Sequence, residues 1–180
     1  MNTLDLPWSV PVRLADIPEE GRRYDLAADE AARERVAGLI GLRALPRLEA
    51  NFHVMRRGAH GLHVNGSVSA TVGQTCVVTL DPIENNVSES LDLSFAPPND
   101  LPPTSAQADP GGSGEEDAPE PLIGETIDLG AIATEFLILG VDPYPRKAGA
   151  TFEPPAAEDG KANPFAALAA LKKGQGRNDV

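Results

Sequence analysis

The chain has 180 residues, a net charge of −12, 41% hydrophobic residues and only 4% aromatic ones, which suits one domain with a Val, Leu, Ile and Ala core and extra loops and tails. A single cysteine, Cys76, excludes an internal disulfide. No window approaches the roughly 18 apolar residues of a membrane span, and the N-terminal MNTLDLPWSVPVRL does not read as a signal peptide, so the expectation is a cytoplasmic protein with no membrane partner.

Residues Leu4 to Arg13 alternate loosely around Trp8, Val10 and Val12, and Pro7 and Pro11 place this first strand at a sheet edge. Asp25 to Gly41 reads as the first helix, with Asp25 or Asp29 as its cap and Ala32, Val36, Leu39 and Ile40 as its buried stripe. Period-two alternation then runs through Leu48, Ala50, Phe52 and Val54, turns at Arg56 to Gly61, and resumes through Leu62, Val64, Gly66, Val68, Ala70 and Val72. That is a hairpin, and Gly66 on its apolar face suits a bulge or close packing. Thr75 to Leu80 is a β-branched run ahead of a turn at Asp81-Pro82, and Val87 to Phe95 is a further strand with Leu91, Leu93 and Phe95 on one face.

Residues 96–120 are rich in proline and glycine and carry Glu115, Glu116, Asp117 and Glu120, which predicts a flexible acidic loop. Asp128 caps a second helix whose apolar surface is Ile132, Ala133, Phe136, Leu137 and Leu139, with Gly140 and Pro143 ending it. Glu135 either faces solvent or pairs with an arginine. In the tail, Asn163 and Pro164 start a short helix over 164–173 in which Phe165, Leu168 and Leu171 share a face. It can dock in cis or in a partner's groove.

The charge is unevenly spread. From Gly58 to Pro145 there are fourteen acids and no Lys or Arg. Phosphate binding needs clustered cations, so this block repels nucleic acid and argues against DNA. It keeps the protein soluble, or it meets a basic partner such as a ribosomal or assembly protein, with Glu115, Glu116, Asp117, Glu120 and the tail residues as candidate contacts. Direct RNA contact would instead use Arg22, Arg23, Arg33, Arg35, Arg56 and Arg57.

Catalytic patterns are missing: no GxSxG, GxGxxG or Walker sequence occurs. His53, His60 and His63 cluster within eleven residues, and a metal site there would have to recruit Cys76 or Glu49. Cys76 in an apolar run reads as a small buried hydrophobe. The expectation is no enzyme, no metal and no cofactor.

The ordered segments carry a resemblance. They are PWSVPVRLADIP, the helix ending GLIGL, VNGSVSATVGQTCVVTLDPI, LDLSF, an acidic loop, IDLGAIATEFLILGVDPYPR and NPFAALAALKK. In this order, over nearly the whole chain, they resemble the YceD family in its alphaproteobacterial form. These are the large ribosomal RNA subunit accumulation proteins of bacteria and plastids. The resemblance implies a non-enzymatic factor supporting synthesis, processing or stability of large-subunit (23S) ribosomal RNA. Many members carry a CxRC motif where this chain has Cys76-Val77-Val78-Thr79, so a thiolate metal site is not available here. Val77, Val78 and Leu80 would then hold the sheet by packing, at roughly 1.5 to 3 kcal/mol for each buried side chain.

The expected architecture is α+β: a curved antiparallel sheet of about five strands, open or partly closed, with two main helices. Residues 1–152 form one domain containing the acidic loop 96–120, and 153–180 form a flexible tail with its short helix.

Overall fold

The computed structural model describes residues 6–101 and 118–152. The loop positions 102–117, with Glu115, Glu116 and Asp117, and the expected terminal helix over 164–173, with Phe165, Leu168 and Leu171, lie outside them. The chain divides into two units, Met1–Ala150 and Thr151–Val180, and every element below belongs to the first.

Two long strands build the centre. β3 (Ala44–Arg57) and β4 (Gly61–Thr75) form the expected hairpin, pairing antiparallel with Phe52 opposite Gly66 and Val54 opposite Val64. From Leu48 onward the even-numbered residues of both strands point into the core, where Leu48, Ala50, Phe52, Val54, Leu62, Val64, Val68, Ala70 and Val72 are buried. Gly66 serves close packing: a Cβ there would collide with the Asn51 carbonyl and the Phe52 ring. The register runs through it without a bulge; the one irregularity lies between Ala44 and Arg47.

β5 (Pro82–Ala96) pairs antiparallel with β4 along its full length and contributes Val87, Leu91 and Phe95 to the core. β2 (Arg22–Ala27) flanks β3, with Tyr24 opposite Phe52 and Leu26 opposite Ala50. This corrects the expected start of the first helix. Arg22–Ala27 follows a period of two against β3, and α1 (Glu30–Ile40) begins only after Asp29, whose carboxylate accepts from Ala32 N–H at 2.7 Å. Gly41 ends α1 at φ +71°, in the left-handed region. α1 buries Ala32, Val36 and Ala37 against β3, but Leu39 faces solvent.

The loop after β5 also differs from expectation at its ends. Ala96 is the last residue of β5, Pro98–Asp100 forms one helical turn, and Glu120 lies in β6 (Glu120–Pro121). β6 pairs parallel with Phe95 and Ala96, so the sheet order is β2-β3-β4-β5-β6 and only its last pairing departs from antiparallel. Among the described residues no pairing closes the sheet.

The first expected strand shrinks to β1 (Pro11–Arg13), which pairs with β7 (Thr126–Asp128) in a separate two-stranded ribbon that buries Val12 against Ile127. α2 (Leu129–Gly140) follows directly. It packs on β5 and β4 through Leu129, Ile132, Ala133 and Leu137, while Leu139 is 71% exposed rather than part of the buried stripe. Both helices lie on the apolar face of the sheet. Among the described residues no helix is long and apolar enough to cross a membrane.

Candidate functional site

Five acids stand on the three elements at one edge of the sheet, β5, β6 and α2. β5 carries Glu84, Glu89 and Asp92. Beyond it, β6 presents Glu120, whose carboxyl is held above the usual carboxylate range, first by partial burial and then by the charge of Glu135 on α2. Glu135 is exposed on its helix, and an acid is its electrostatic neighbour there. Glu89 lies under the end of α2, so close that a Cβ on Gly140 would come within 2.6 Å of its carboxylate oxygen and of Val87. The result is an acidic rim on ordered backbone, formed by β5, β6 and α2. Of the acids proposed from sequence as partner contacts, Glu120 is the one with a described position, and it belongs to this rim. The others on the rim, Glu89 on β5 and Glu135 on α2, are far apart in sequence and come to this edge only through tertiary packing.

The opposite face of the sheet is open and polar. Asn51, Asn65, Ser67, Ser69, Thr71, Asn86, Ser88 and Ser90 cover its middle, at positions that alternate with the core residues. Towards one end, His63 Nδ1 lies 3.4 Å from Ser94 Oγ and His63 Nε2 lies 3.4 Å from Asp92 Oδ1. Asp92 is 72% exposed, so water solvates this group, and among the described residues nothing encloses it. Arg57 donates to the same Ser94 hydroxyl.

His53 and His63 are diagonal neighbours on the open face of the hairpin, and His60 lies in the turn between its strands. His53 sits opposite Asn65 and next to Gly21, His63 sits opposite Met55, and His60 lies 4.0 Å from Glu125. Glu49 pairs instead with Arg47 at 3.1 Å, and Cys76 is beyond the far end of β4. Among the described residues no group of three or more His, Cys, Asp and Glu is placed to hold a metal ion.

The arginines proposed for RNA contact are also split. Arg22 and Arg56 line one shallow depression together with Asp16 and Glu19, and Arg56 Nε donates to the Ile17 carbonyl at 2.6 Å. Arg23 sits on β2 opposite His53, on the open face. Arg33 donates to the Ala28 carbonyl at 2.7 Å and Arg35 to the Pro7 carbonyl at 3.0 Å. Ala28 N–H in turn bonds Leu48 O. From Leu48 to Arg56 along β3 is about 25 Å of strand, so Arg33 and Arg56 stand at opposite ends of it.

The turn between β4 and β5 overturns the expected packing of Val77 and Leu80, because Cys76–Leu80 forms the turn itself. Val77 N–H bonds Pro145 O, Leu80 N–H bonds Cys76 O, and Leu80 adopts φ +61°. Val77 is 45% and Leu80 74% exposed, so these two do not staple the sheet by packing; Val78 is half-buried. Cys76 itself is buried, as expected, but it is not an inert hydrophobe. Its Sγ accepts from Lys147 N–H at 3.3 Å and from Thr79 N–H at 3.4 Å. These bonds, that from Lys147 foremost, lower the thiol pKa from 9.0 to about 6 although burial opposes the shift.

Comparison with known proteins gives one finding. The family model described as large ribosomal RNA subunit accumulation protein YceD matches residues 64–172, more than half of the chain. The match begins inside β4 and omits β1, β2, α1 and β3, so it is shorter than the near-complete coverage expected from sequence. No curated protein and no solved structure matches.

Proposed function

The chain belongs to the YceD family, and from that premise we propose that it is a non-enzymatic factor supporting synthesis, processing or stability of large-subunit (23S) ribosomal RNA, acting through protein contacts during ribosome assembly. The family match carries the ribosomal part of this reading. The protein-contact part is supported by charge: fourteen acids without a Lys or Arg lie within 58–145, and five of them, Glu84, Glu89, Asp92, Glu120 and Glu135, stand on β5, β6 and α2. A surface of that sign attracts a basic ribosomal or assembly protein and repels RNA phosphates. Direct RNA binding through Arg22, Arg23, Arg33, Arg35, Arg56 and Arg57 is the weaker reading, because three of the six are spent on backbone carbonyls and the set forms no single patch.

We read the chain as an alphaproteobacterial-type member in which the CxRC motif has been replaced by Cys76-Val77-Val78-Thr79. On this reading the turn is held by N–H bonds to one sulfur where relatives use several cysteines.

The experiment is depletion of the protein in its own host, followed by the ratio of large- to small-subunit ribosomal RNA and a sucrose-gradient profile. A selective fall of the large subunit supports the proposal. An unchanged ratio with depletion verified rejects it.

A further inference from the structure

β5 is 15 residues long, and among the described residues its outer edge is unpaired for most of that length. Among the described residues its outer neighbour is β6, which pairs only with Phe95 and Ala96. The direction of the free backbone groups follows from one bond. Leu122 N–H donates to Ala96 O at 2.7 Å, so Ala96 turns its polar groups outward. The β4–β5 register is unbroken from Leu62–Phe95 to Thr75–Pro82. Alternation therefore carries the same outward orientation to Asp92, Ser90, Ser88 and Asn86.

Edges of this kind are normally blunted by shortness, a bulge, an internal proline or lysines. β5 has none of these inside its length: its proline is its first residue, and its charged residues are Glu84, Glu89 and Asp92. Those acids do oppose pairing with a second copy. A two-fold pairing centred on Ser88 would set Glu84 against Asp92 twice. They favour a cationic strand instead.

α2 supplies the second half of the surface. Glu135 lies within electrostatic reach of Glu120 on β6, so this side of α2 looks towards the outer edge of the sheet. Ile138 and Leu139 follow Glu135 by three and four residues and share its helix face. Both are exposed, Ile138 by 44% and Leu139 by 71%. Gly140 brings the end of this helix down on Val87 and Glu89 of β5. Next to the open edge there is thus an apolar step rimmed by Glu89, Glu120 and Glu135.

We infer that the edge of β5 beside α2 is a strand-addition site for an extended segment of a basic partner protein. Outward N–H and C=O groups of Asn86, Ser88, Ser90 and Asp92 pair with the incoming backbone, over roughly 20 Å of strand. Alternate side chains of that segment rest on Ile138 and Leu139, and cationic ones meet Glu84 and Asp92 on the open face or Glu89, Glu120 and Glu135 on the rim. The inference deepens the protein-contact reading above by naming the surface and the chemistry of the partner.

The test uses the full chain and a fluorescent peptide of alternating lysine and valine, about ten residues long. Its control is an analogue of the same charge, N-methylated at every amide, which keeps the electrostatic attraction but cannot pair as a strand. Anisotropy titrations should show the N-methylated analogue binding at least about tenfold more weakly, the equivalent of one or two lost hydrogen bonds. Ser90→Pro removes one outward N–H where an edge strand tolerates proline, and should weaken the peptide similarly. Leu139→Lys tests the apolar step without touching the sheet and should also weaken it. Amide exchange should slow at Asn86, Ser88, Ser90 and Asp92 when the peptide binds.

Equal affinity for the two peptides, or protection confined to other residues, overturns the inference. So does a single-stranded RNA oligomer that protects these amides better than the peptide does. Failure of the peptide test leaves the ribosomal reading standing, and an unchanged ribosomal RNA ratio on depletion leaves the strand-addition site standing.

Discussion

The carboxyls of Glu120 and Glu135 approach each other between β6 and α2, and the neighbour's charge adds to partial burial in holding Glu120 above its usual pKa. Acids so placed are repaired by a cation rather than by folding alone, which suits a surface that awaits a basic partner. A folded-state pKa above the unfolded one means that the native state holds the extra proton between the two values. Stability therefore falls as pH rises through that window, and the full penalty persists above it. Glu135→Gln should move Glu120 back towards the ordinary carboxylate range in a carbon-detected NMR titration, and Glu120→Gln should flatten that part of the stability profile. A Glu120 titration unmoved by Glu135→Gln would mean that burial alone sets the shift.

Cys76 gives the opposite slope. Its folded pKa of about 6 lies below the ordinary 9.0 because Lys147 and Thr79 donate to the sulfur. The native state prefers the thiolate, so this contribution to stability grows as pH rises from about 6 to about 9 and is lost as pH falls through about 6. Denaturant unfolding of the wild type and of Cys76→Ser across this range should show a difference that widens with pH. Thiolate ultraviolet absorbance should titrate near the lower value, while the buried sulfur reacts slowly with a bulky alkylating reagent. A constant difference between the two proteins would remove the thiolate from the account.

Two glycines separate packing from propensity. Gly66→Ala drives a methyl group into the Asn51 carbonyl and the Phe52 ring at the centre of the hairpin, and overpacking of this kind costs about 1–3 kcal/mol. Gly38, inside α1, has nothing within 4 Å of an added Cβ, so Gly38→Ala should stabilise by about 0.5–1 kcal/mol through helix propensity. Chemical denaturation of both variants checks the pair, and a stabilising Gly66→Ala would mean that β3 and β4 separate more easily than their register suggests.

Local pattern made part of this fold legible and left the rest hidden. The β3–β4 hairpin could be read because one face is buried along its whole length, which imposes a clean period of two on Leu48 to Val54 and Leu62 to Val72. The ends of both helices were marked by caps and stops: Gly41 and Asp128 stand where the sequence placed them. Asp25–Ala27, the end of β2, was absorbed into the first helix because Asp25 and Asp29 are equally good caps, and only pairing with β3 decides between them. Val77 and Leu80 have strand-like composition, but a long-range bond to Pro145 and the left-handed backbone at Leu80 make a turn there. β6 is two residues long and exists only through its pairing with β5. The acidic rim was illegible for the same reason: Glu89, Glu120 and Glu135 are far apart in sequence, and tertiary packing brings them together.

Asp128 joins the N-terminal segment to α2 more tightly than a cap alone would. Its Oδ1 accepts from Ala131 N–H at 3.0 Å and from Val10 N–H at 2.8 Å, its Oδ2 accepts from the Ser9 hydroxyl, and Leu129 N–H bonds Val10 O. Asp29, by contrast, caps α1 through the single side-chain bond to Ala32 N–H. Asp29→Ala should therefore cost about 1 kcal/mol, the usual value of an N-cap. Asp128→Ala removes the cap and also strands the Val10 donor, for about 2–4 kcal/mol in all. Asp128→Asn keeps the Oδ1 acceptor and should recover much of that loss, which separates hydrogen bonding from charge. Equilibrium unfolding of the three variants provides the comparison, with amide exchange at Val10 as the local readout. Equal losses for Asp29→Ala and Asp128→Ala, with exchange at Val10 unchanged, would show that β1 is held against α2 by Val12 and Ile127 packing rather than by this carboxylate.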